Sequence, residues 1–249
     1  MTTSTLAIKH GHVGSKTYVL VHGAYHGGWC WKGVAEKLRS LGHAVFTPTL
    51  TGLGERSHLI NMRPHLETFI TDVSQVLECE EIEDAILVGH SFAGSVISGV
   101  ADRVPHRLRH LVYLDALILQ DGESSYDRNP EKIENYRRRA VDASSPDAVP
   151  PKTPADFGVT DPRLASWLEQ KLSAQPLAPY FDRLELEHPV GNGIRSTYIA
   201  CSQPLFPSLE ESRDRARGYP SWTYLEFPAS HSVMLEKPAQ LAELLSQLD

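Results

Sequence analysis

A serine in the stretch GHSFAG, residues 89–94, lies between two segments suited to a buried fold. The apolar residues AILV come directly before this stretch, and SVISGV follows it. A strand, a Gly-x-Ser-x-small-Gly turn and a helix form a nucleophile elbow, in which a tight turn projects the serine hydroxyl into a cleft. Ala93 stands where a second glycine is usual, and its methyl group is small enough for such a turn. The pattern predicts that Ser91 is a nucleophile.

The serine needs a base, because its hydroxyl is a poor nucleophile at neutral pH, and the base needs an acid to orient it. For a serine on such an elbow, the chain order is serine, acid, histidine. His231 in FPASHSVMLEKP lies between a predicted strand and the last predicted helix. We therefore expect His231 to be the general base.

The acid has more than one candidate. The loop after the predicted strand RSTYIACS reads QPLFP and contains no carboxylate. Asp115 in LVYLDALIL would be buried, and a buried carboxylate requires a partner, which His231 would supply. Asp115 is thus the expected acid, and Asp214 is the alternative. Asp214, Glu210 and Glu211 lie in a predicted helix, where a solvated face is the expected role.

Two backbone N–H groups are expected to bind the oxyanion that forms when the serine attacks a carbonyl group. One belongs to Phe92, directly after the serine, and the other to Ala24 in the glycine-rich loop VHGAYHGGW. His26 in the same loop is a candidate for the wall of a substrate pocket. Trp167, much further along the chain, is a second candidate for that wall.

Alternating strands and helices must position these residues. Strands are predicted for KTYVLVHG, HAVFTPTLTG, DAILVGH and RHLVYLDALIL (residues 16–23, 43–52, 84–90 and 109–119), and later for RSTYIACS and WTYLEF. Helices are predicted between them, including HLETFITDVSQVLECE, whose apolar residues repeat with a period near 3.6. Near-continuous apolar strands that alternate with helices predict a parallel sheet covered on both faces.

The pattern changes between residues 120 and 193, where the chain is rich in proline and charge and has helical pieces but no strong strand. Large apolar side chains in this stretch need a surface to pack against: Trp167, Leu168, Leu172, Tyr180 and Phe181. We therefore predict a helical cap at residues 120–193, inserted into a core of residues 1–119 and 194–249.

Composition excludes several classes of partner. The net charge of −7 lacks the basic excess that nucleic-acid binding requires. No stretch approaches the ~18 apolar residues of a membrane span, and the N-terminus has no apolar segment of signal-peptide length, so we expect a cytoplasmic protein. Cys30, Cys79 and Cys201 have no metal-ligand spacing, and no metal or cofactor is expected. The oligomeric state stays open, with a homodimer among the possibilities.

In their order along the chain, VHGAYHGGWCW, GHSFAGSVI, VYLDA and ASHSVML resemble the α/β-hydrolase superfamily over nearly the whole sequence. The nearest likeness is to the small esterase branch of plant methyl esterases and hydroxynitrile lyases, with bacterial relatives that carry a turn like TGLGER. Plant members of this branch take their acid from the loop that here reads QPLFP. Other members, including some lipases and cofactor-free quinolone dioxygenases, take it from the position that matches Asp115.

The resemblance implies an α/β-hydrolase fold and cofactor-independent hydrolysis of a small carboxylic ester through Ser91, His231 and Asp115. Hydroxynitrile lyases have a lysine and a threonine where this chain has Ser232 and Gly23, which argues against cyanohydrin cleavage. The alternatives are a cofactor-free dioxygenase or a carbon–carbon or cyanohydrin lyase on the same fold, and a small-molecule binding protein without catalysis.

Overall fold

The computed structural model of the chain describes residues 14–142 and 147–248. The expectation that no signal peptide is present depends largely on residues 1–13, which lie outside the described residues. Strands in the described part are β1 (Thr17–Val21), β2 (Ala44–Phe46), β3 (Ala85–His90), β4 (Leu108–Leu114), β5 (Ala148–Val149), β6 (Gln175–Pro176), β7 (Arg195–Cys201) and β8 (Thr223–Phe227). Its α-helices are α1 (Lys32–Ser40), α2 (Leu66–Cys79), α3 (Ala93–Arg103), α4 (Ser125–Arg128), α5 (Pro130–Asp142), α6 (Pro162–Glu169), α7 (Glu210–Gly218), α8 (Val233–Glu236) and α9 (Pro238–Gln247).

Six strands form one parallel sheet in the order β2-β1-β3-β4-β7-β8. Side chains that alternate along each strand supply a core on both faces. From β1, Val19 faces the core beneath α2 and α3, whereas Leu20 faces the core beneath α1 and α9. The predicted parallel sheet with helices on both faces is confirmed. Across the described residues, no helix is long and apolar enough to cross a membrane.

Two strands are shorter than the sequence predicts. β4 was expected to extend to residue 119, but it ends at Leu114 because Asp115 has a left-handed backbone with φ of 39°. Residues Ala116, Ile118 and Leu119 are apolar because they are buried in the loop that follows. β2 was expected over residues 43–52 and covers only Ala44–Phe46.

The segment between β4 and β7 contains α4, α5 and α6 together with short 3-10 turns. It also contains β5 and β6, an antiparallel pair that the sequence did not predict, because each strand has only two residues. Tyr136, Phe157 and Tyr180 of this segment join the same apolar cluster as the side chains of α2 and α3. The segment therefore packs directly on the core, above the elbow that carries Ser91. The limits of the cap at residues 120 and 193 stay a prediction.

Candidate active site

Ser91 occupies the sharp turn between β3 and α3, with a left-handed φ of 56° that is unusual for a residue with a side chain. Its backbone is held on both sides. Its N–H donates to the Leu114 carbonyl at 3.2 Å, and its carbonyl accepts from the N–H groups of Gly94 at 3.1 Å and Leu117 at 2.8 Å. These bonds fix the strained turn and the loop after β4 to each other.

The small residues after Ser91 have different tasks. A Cβ at Gly94 would lie 2.1 Å from the carbonyl oxygen of Leu117, so only glycine allows the loop after β4 to approach. A Cβ at Gly89 would lie 2.8 Å from the carbonyl oxygen of Ala93, which keeps strand and helix close. Ala93 is also buried, but there the structure accommodates a methyl group. The strict requirement thus falls on position 94 rather than 93.

His231 connects Ser91 and Asp115 through both ring nitrogens. Its Nε2 lies 2.9 Å from Ser91 Oγ, and its Nδ1 lies 2.6 Å from Asp115 Oδ2. Because a carboxylate only accepts hydrogen bonds, the proton is on Nδ1, and Nε2 is free to accept from the serine hydroxyl. The structure thus brings together the three residues that the sequence proposed as nucleophile, base and acid.

Asp115 is fully buried at the end of β4. Its second oxygen, Oδ1, accepts from the Cys201 N–H at 3.4 Å and lies 4.0 Å from Nη1 of the buried Arg213. The alternative acid, Asp214, has a side chain that is 68% exposed and pairs with Arg217. Of these two carboxylates, only Asp115 contacts the histidine.

The other two carboxylates of the predicted helix also lie away from His231. Glu210 is exposed, and Glu211 forms ion pairs with Arg128 and Arg215. The solvated role that the sequence suggests for this side of α7 agrees with both positions.

The two predicted oxyanion donors lie beside Ser91. Ala24 and Phe92 both line the same pocket as the serine hydroxyl. In the described part of the chain, no protein oxygen accepts from either backbone N–H. A Cβ at Gly23 would lie 2.8 Å from the Cβ of Ser91, so glycine at that position allows the loop to reach the elbow.

Three further histidines surround the elbow, and each is buried. His22 donates through Nδ1 to the Gly23 carbonyl and accepts from the Leu50 N–H, and burial lowers its pKa to about 3. Burial lowers the pKa of His26 to about 4. His90 donates through Nε2 to the carbonyl of His231, and burial holds its pKa well below the usual range. All three are therefore neutral at pH 7 and act as fixed dipoles.

The pocket above Ser91 has an empty volume of about 720 Å³, which includes the space at its open mouth. One side, the core wall, consists of Ala24, His26, Ser91, Phe92 and His231. The opposite side, the cap wall, consists of Ser125, Lys132, Tyr136, Lys152 and Tyr180. In the described residues, no group of three or more His, Cys, Asp or Glu side chains could hold a metal ion.

The two pocket candidates from the sequence have different outcomes. His26 lines the pocket, with its ring stacked on Trp29 at 5.4 Å between centroids. Trp167 is not among the residues that line the pocket in the structure. Its side chain is 40% exposed and packs edge-on against the ring of Trp29, at 5.4 Å, so Trp29 separates it from His26.

The family profile described as the alpha/beta hydrolase family matches residues 18–244 of the chain. The chain belongs to the α/β-hydrolase family. It is 38% identical over 241 residues to the carbendazim hydrolyzing esterase of Nocardioides sp. (strain SG-4G), covering 93% of this chain and 98% of that protein. It is also 25% identical over 249 residues to methylesterase 3 of Arabidopsis thaliana, covering 92% and 94% respectively.

Among solved structures, this α/β-hydrolase is similar to an extracellular α/β-hydrolase from a Paenibacillus species, described as sharing structural and functional homology with tobacco salicylic acid binding protein 2. The TM-score is 0.80 at 26% identity, and the match covers 92% of this chain and 97% of the other. The names of the relatives support esterase activity, and the resemblance seen in the sequence motifs is confirmed.

This α/β-hydrolase also has site residues that sequence reasoning missed. Phe206, from the loop that lacks a carboxylate, stacks on the imidazole of His231 with ring centroids 4.0 Å apart and planes 9° apart. Arg213 of α7 donates to the Phe206 carbonyl at 3.0 Å while it faces Asp115. The sequence contains one sign of this position: Arg213 has helical spacing from Leu209 and Ala216, and both of these residues are buried on the inner face of α7.

Proposed function

We propose that the protein is a cofactor-independent serine hydrolase that cleaves small carboxylic esters. The observation that carries this proposal is the pair of hydrogen bonds that connects Ser91 Oγ to the imidazole of His231 and the imidazole to the buried carboxylate of Asp115. A serine is activated in this way when a neutral imidazole nitrogen accepts its proton and a carboxylate holds the opposite N–H.

The first half of the proposed reaction forms an acyl-enzyme. Ser91 Oγ bonds to the ester carbonyl carbon, its proton passes to His231 Nε2, and the carbonyl oxygen becomes an oxyanion that accepts from the N–H groups of Ala24 and Phe92. The oxyanion then re-forms the carbonyl, and the bond from carbon to the alcohol oxygen breaks. The departing alkoxide takes the proton from Nε2 and leaves as the alcohol.

The second half repeats these steps with water. His231 removes a proton from water, and the resulting hydroxide bonds to the acyl carbon. The bond to Ser91 Oγ breaks, and the serine recovers its proton from Nε2. Asp115 accepts the Nδ1–H of His231 and stabilises the imidazolium of both half-reactions. The products are a carboxylic acid and an alcohol, and the enzyme returns to its initial state.

The pocket can accept esters with an aromatic or apolar part, because aromatic side chains line both of its walls. The Nocardioides relative is named for carbendazim hydrolysis. Carbendazim and simple methyl esters are therefore the first substrates to assay, alongside the general esterase substrate 4-nitrophenyl acetate.

The proposal is tested by labelling and substitution at Ser91. A fluorophosphonate probe should form one adduct, which mass spectrometry of peptides assigns to Ser91. Ser91→Ala should lower kcat for 4-nitrophenyl acetate by at least ~10³-fold without changing the Tm, as loss of a triad nucleophile typically does. Ser246→Ala, at a partly buried serine of α9 that does not line the pocket, is the matched control. Turnover by Ser91→Ala within tenfold of the parent would contradict the mechanism.

A further inference from the structure

The cap wall carries positive charge without a matching acid. In the described residues that line the pocket, Lys132 and Lys152 are present, and no aspartate or glutamate is. Arg128 also lines the pocket, but its guanidinium pairs with Glu123 and Glu211, which do not line it. Unlike Arg128, the two lysines form no ion pair with a described residue of the pocket, so their charge is available to a bound anion.

Lys132 extends from α5 into an aromatic setting. Its Nζ donates to Ser208 Oγ at 3.0 Å and lies 5.8 Å and 5.6 Å from the ring centroids of Tyr136 and Phe206. No carboxylate of the described chain is within ion-pair distance of this ammonium. Burial, reinforced by the charge of Lys152, lowers the pKa of Lys132 to about 8. A lysine in such surroundings normally has an anionic partner.

Lys152 approaches the same ring from the loop after β5, with Nζ 5.2 Å from the centroid of Tyr136. Burial lowers its pKa as well, although the charge of the exposed Asp156, which does not line the pocket, acts in the opposite direction. Two ammonium groups that share one aromatic ring repel each other, and a single anion between them would relieve the repulsion and replace lost hydration.

Two other polar groups in the pocket have no hydrogen-bond partner in the described structure. Ser125 Oγ in the cap wall and His26 Nε2 in the core wall are buried and lack a hydrogen bond in the structure. Phe206 links the lysine to the reaction centre, because its ring contacts Lys132 and stacks on His231. Ser91 and the two lysines therefore line the same pocket.

We propose that Lys132 and Lys152 form an anion subsite, so that the preferred substrate is an ester that carries a carboxylate at its other end. This inference rests on the proposed ester hydrolysis, and it names the substrate class of that site. The scissile carbonyl lies at the core wall, and the carboxylate lies at the cap wall.

Two isosteric substrates test the subsite. The mono-4-nitrophenyl ester of glutaric acid has a terminal carboxylate, and 4-nitrophenyl 5-amino-5-oxopentanoate has a neutral amide in its place. The parent enzyme should show a kcat/KM at least tenfold higher for the carboxylate, as expected for a charge-assisted hydrogen bond. Lys132→Met should reduce this preference at least tenfold, and Lys152→Met should reduce it in the same direction.

The matched control is Lys171→Met, at an exposed lysine that does not line the pocket, and it should keep the parent preference. Equal rates for the two esters in the parent enzyme, or an unchanged preference in Lys132→Met, would overturn the subsite. Failure of ester hydrolysis itself has a different signature, since neither ester would then be cleaved in a Ser91-dependent way.

A binding measurement makes the test independent of turnover and of folding defects. In the Ser91→Ala protein, pentanoate should raise the Tm more than pentanamide does at the same concentration. This difference should persist with Lys171→Met and disappear with Lys132→Met. Lys132→Arg, which keeps the charge, should retain it. A pentanoate effect that survives Lys132→Met would assign the anion to another part of the pocket and contradict the proposal.

Discussion

The core wall and the cap wall of the pocket face each other but are held in different ways. In and behind the core wall, main-chain hydrogen bonds fix each reactive group: Ser91 N–H to Leu114, Asp115 N–H to Ile199 at 2.7 Å, and the His231 carbonyl to His90. In the cap wall, aromatic packing dominates, as in the contact of the Tyr136 and Tyr180 rings at 5.1 Å. The difference agrees with our proposal that the core wall performs the chemistry and the cap wall selects the substrate.

The largest effect should come from the acid behind the core wall. Asp115→Asn keeps the volume but presents an amide that favours the wrong tautomer of His231, so kcat should fall on the order of 10⁴-fold. Asp214→Asn, at the exposed alternative, should change kcat by less than about threefold. Steady-state assays with 4-nitrophenyl acetate measure both. The reverse result would make a residue of α7 the acid and break the assignment of Asp115.

The next effect should come from Arg213, which supports the core wall from α7. Arg213→Met leaves the buried Asp115 carboxylate without its nearest cation, so the free energy of unfolding should fall by about 3 kcal/mol. We expect kcat to fall as well, since Phe206 loses the bond that holds its carbonyl. Urea unfolding and ester assays measure the two quantities.

Arg217→Met is the matched control for Arg213→Met. Its side chain is 47% exposed on the same helix and pairs with Asp214, so the loss should stay below about 1 kcal/mol. Equal stability losses in the two variants would show that Arg213 contributes only as a surface charge does.

A smaller effect is expected from the contact that joins the elbow to the loop after β4. Gly94→Ala puts a methyl group against the Leu117 carbonyl, and such overpacking should cost about 1–3 kcal/mol of unfolding free energy and lower kcat. Gly218→Ala, where a Cβ would meet no atom within 4 Å, should leave both unchanged. If Gly94→Ala retains full stability, the core wall is more deformable than its hydrogen bonds indicate.

A pH dependence of the stability is expected from the buried histidines around the core wall. His22 and His26 have pKa values lowered to about 3 and 4, so below pH 6.5 the unfolded chain binds protons that the folded chain does not. Stability should therefore fall as pH drops from 6.5 towards 4, by about 1 kcal/mol per pH unit for each histidine. His26→Gln should flatten this slope in urea unfolding between pH 7.5 and 5. An unchanged slope would mean that His26 is charged when folded.

The sequence reveals the core wall better than the cap wall for a physical reason. Ser91 and Gly94 belong to one short turn whose geometry only a few residue types allow, so their spacing is visible in the chain. Asp115 was found because burial of a carboxylate demands a partner. The same apolar context misled the prediction of β4, since residues after Leu114 are buried in a loop and not in a strand.

The groups that the sequence did not reveal depend on docking between distant segments. Arg213 lies in the highly charged stretch EESRDRARG. Its spacing from Leu209 and Ala216 indicates an inner face, but its contact with Asp115 becomes evident only when α7 packs beside β7. Lys132 lies in an equally charged helix, EKIENYRRRA, whose inner face depends on the core beneath it. Trp167, a pocket candidate from the sequence, packs against Trp29.

Trp29 stacks on His26, so its fluorescence should respond to a molecule that binds in the pocket. The protein has four tryptophans, and the ring of Trp29 contacts a side chain that lines the pocket. A charged or aromatic molecule that binds beside His26 changes the field at this indole, and therefore its fluorescence. Trp222, which stacks on Tyr113 outside the pocket, supplies a constant background. Binding in the Ser91→Ala protein can thus be followed by emission without an added dye.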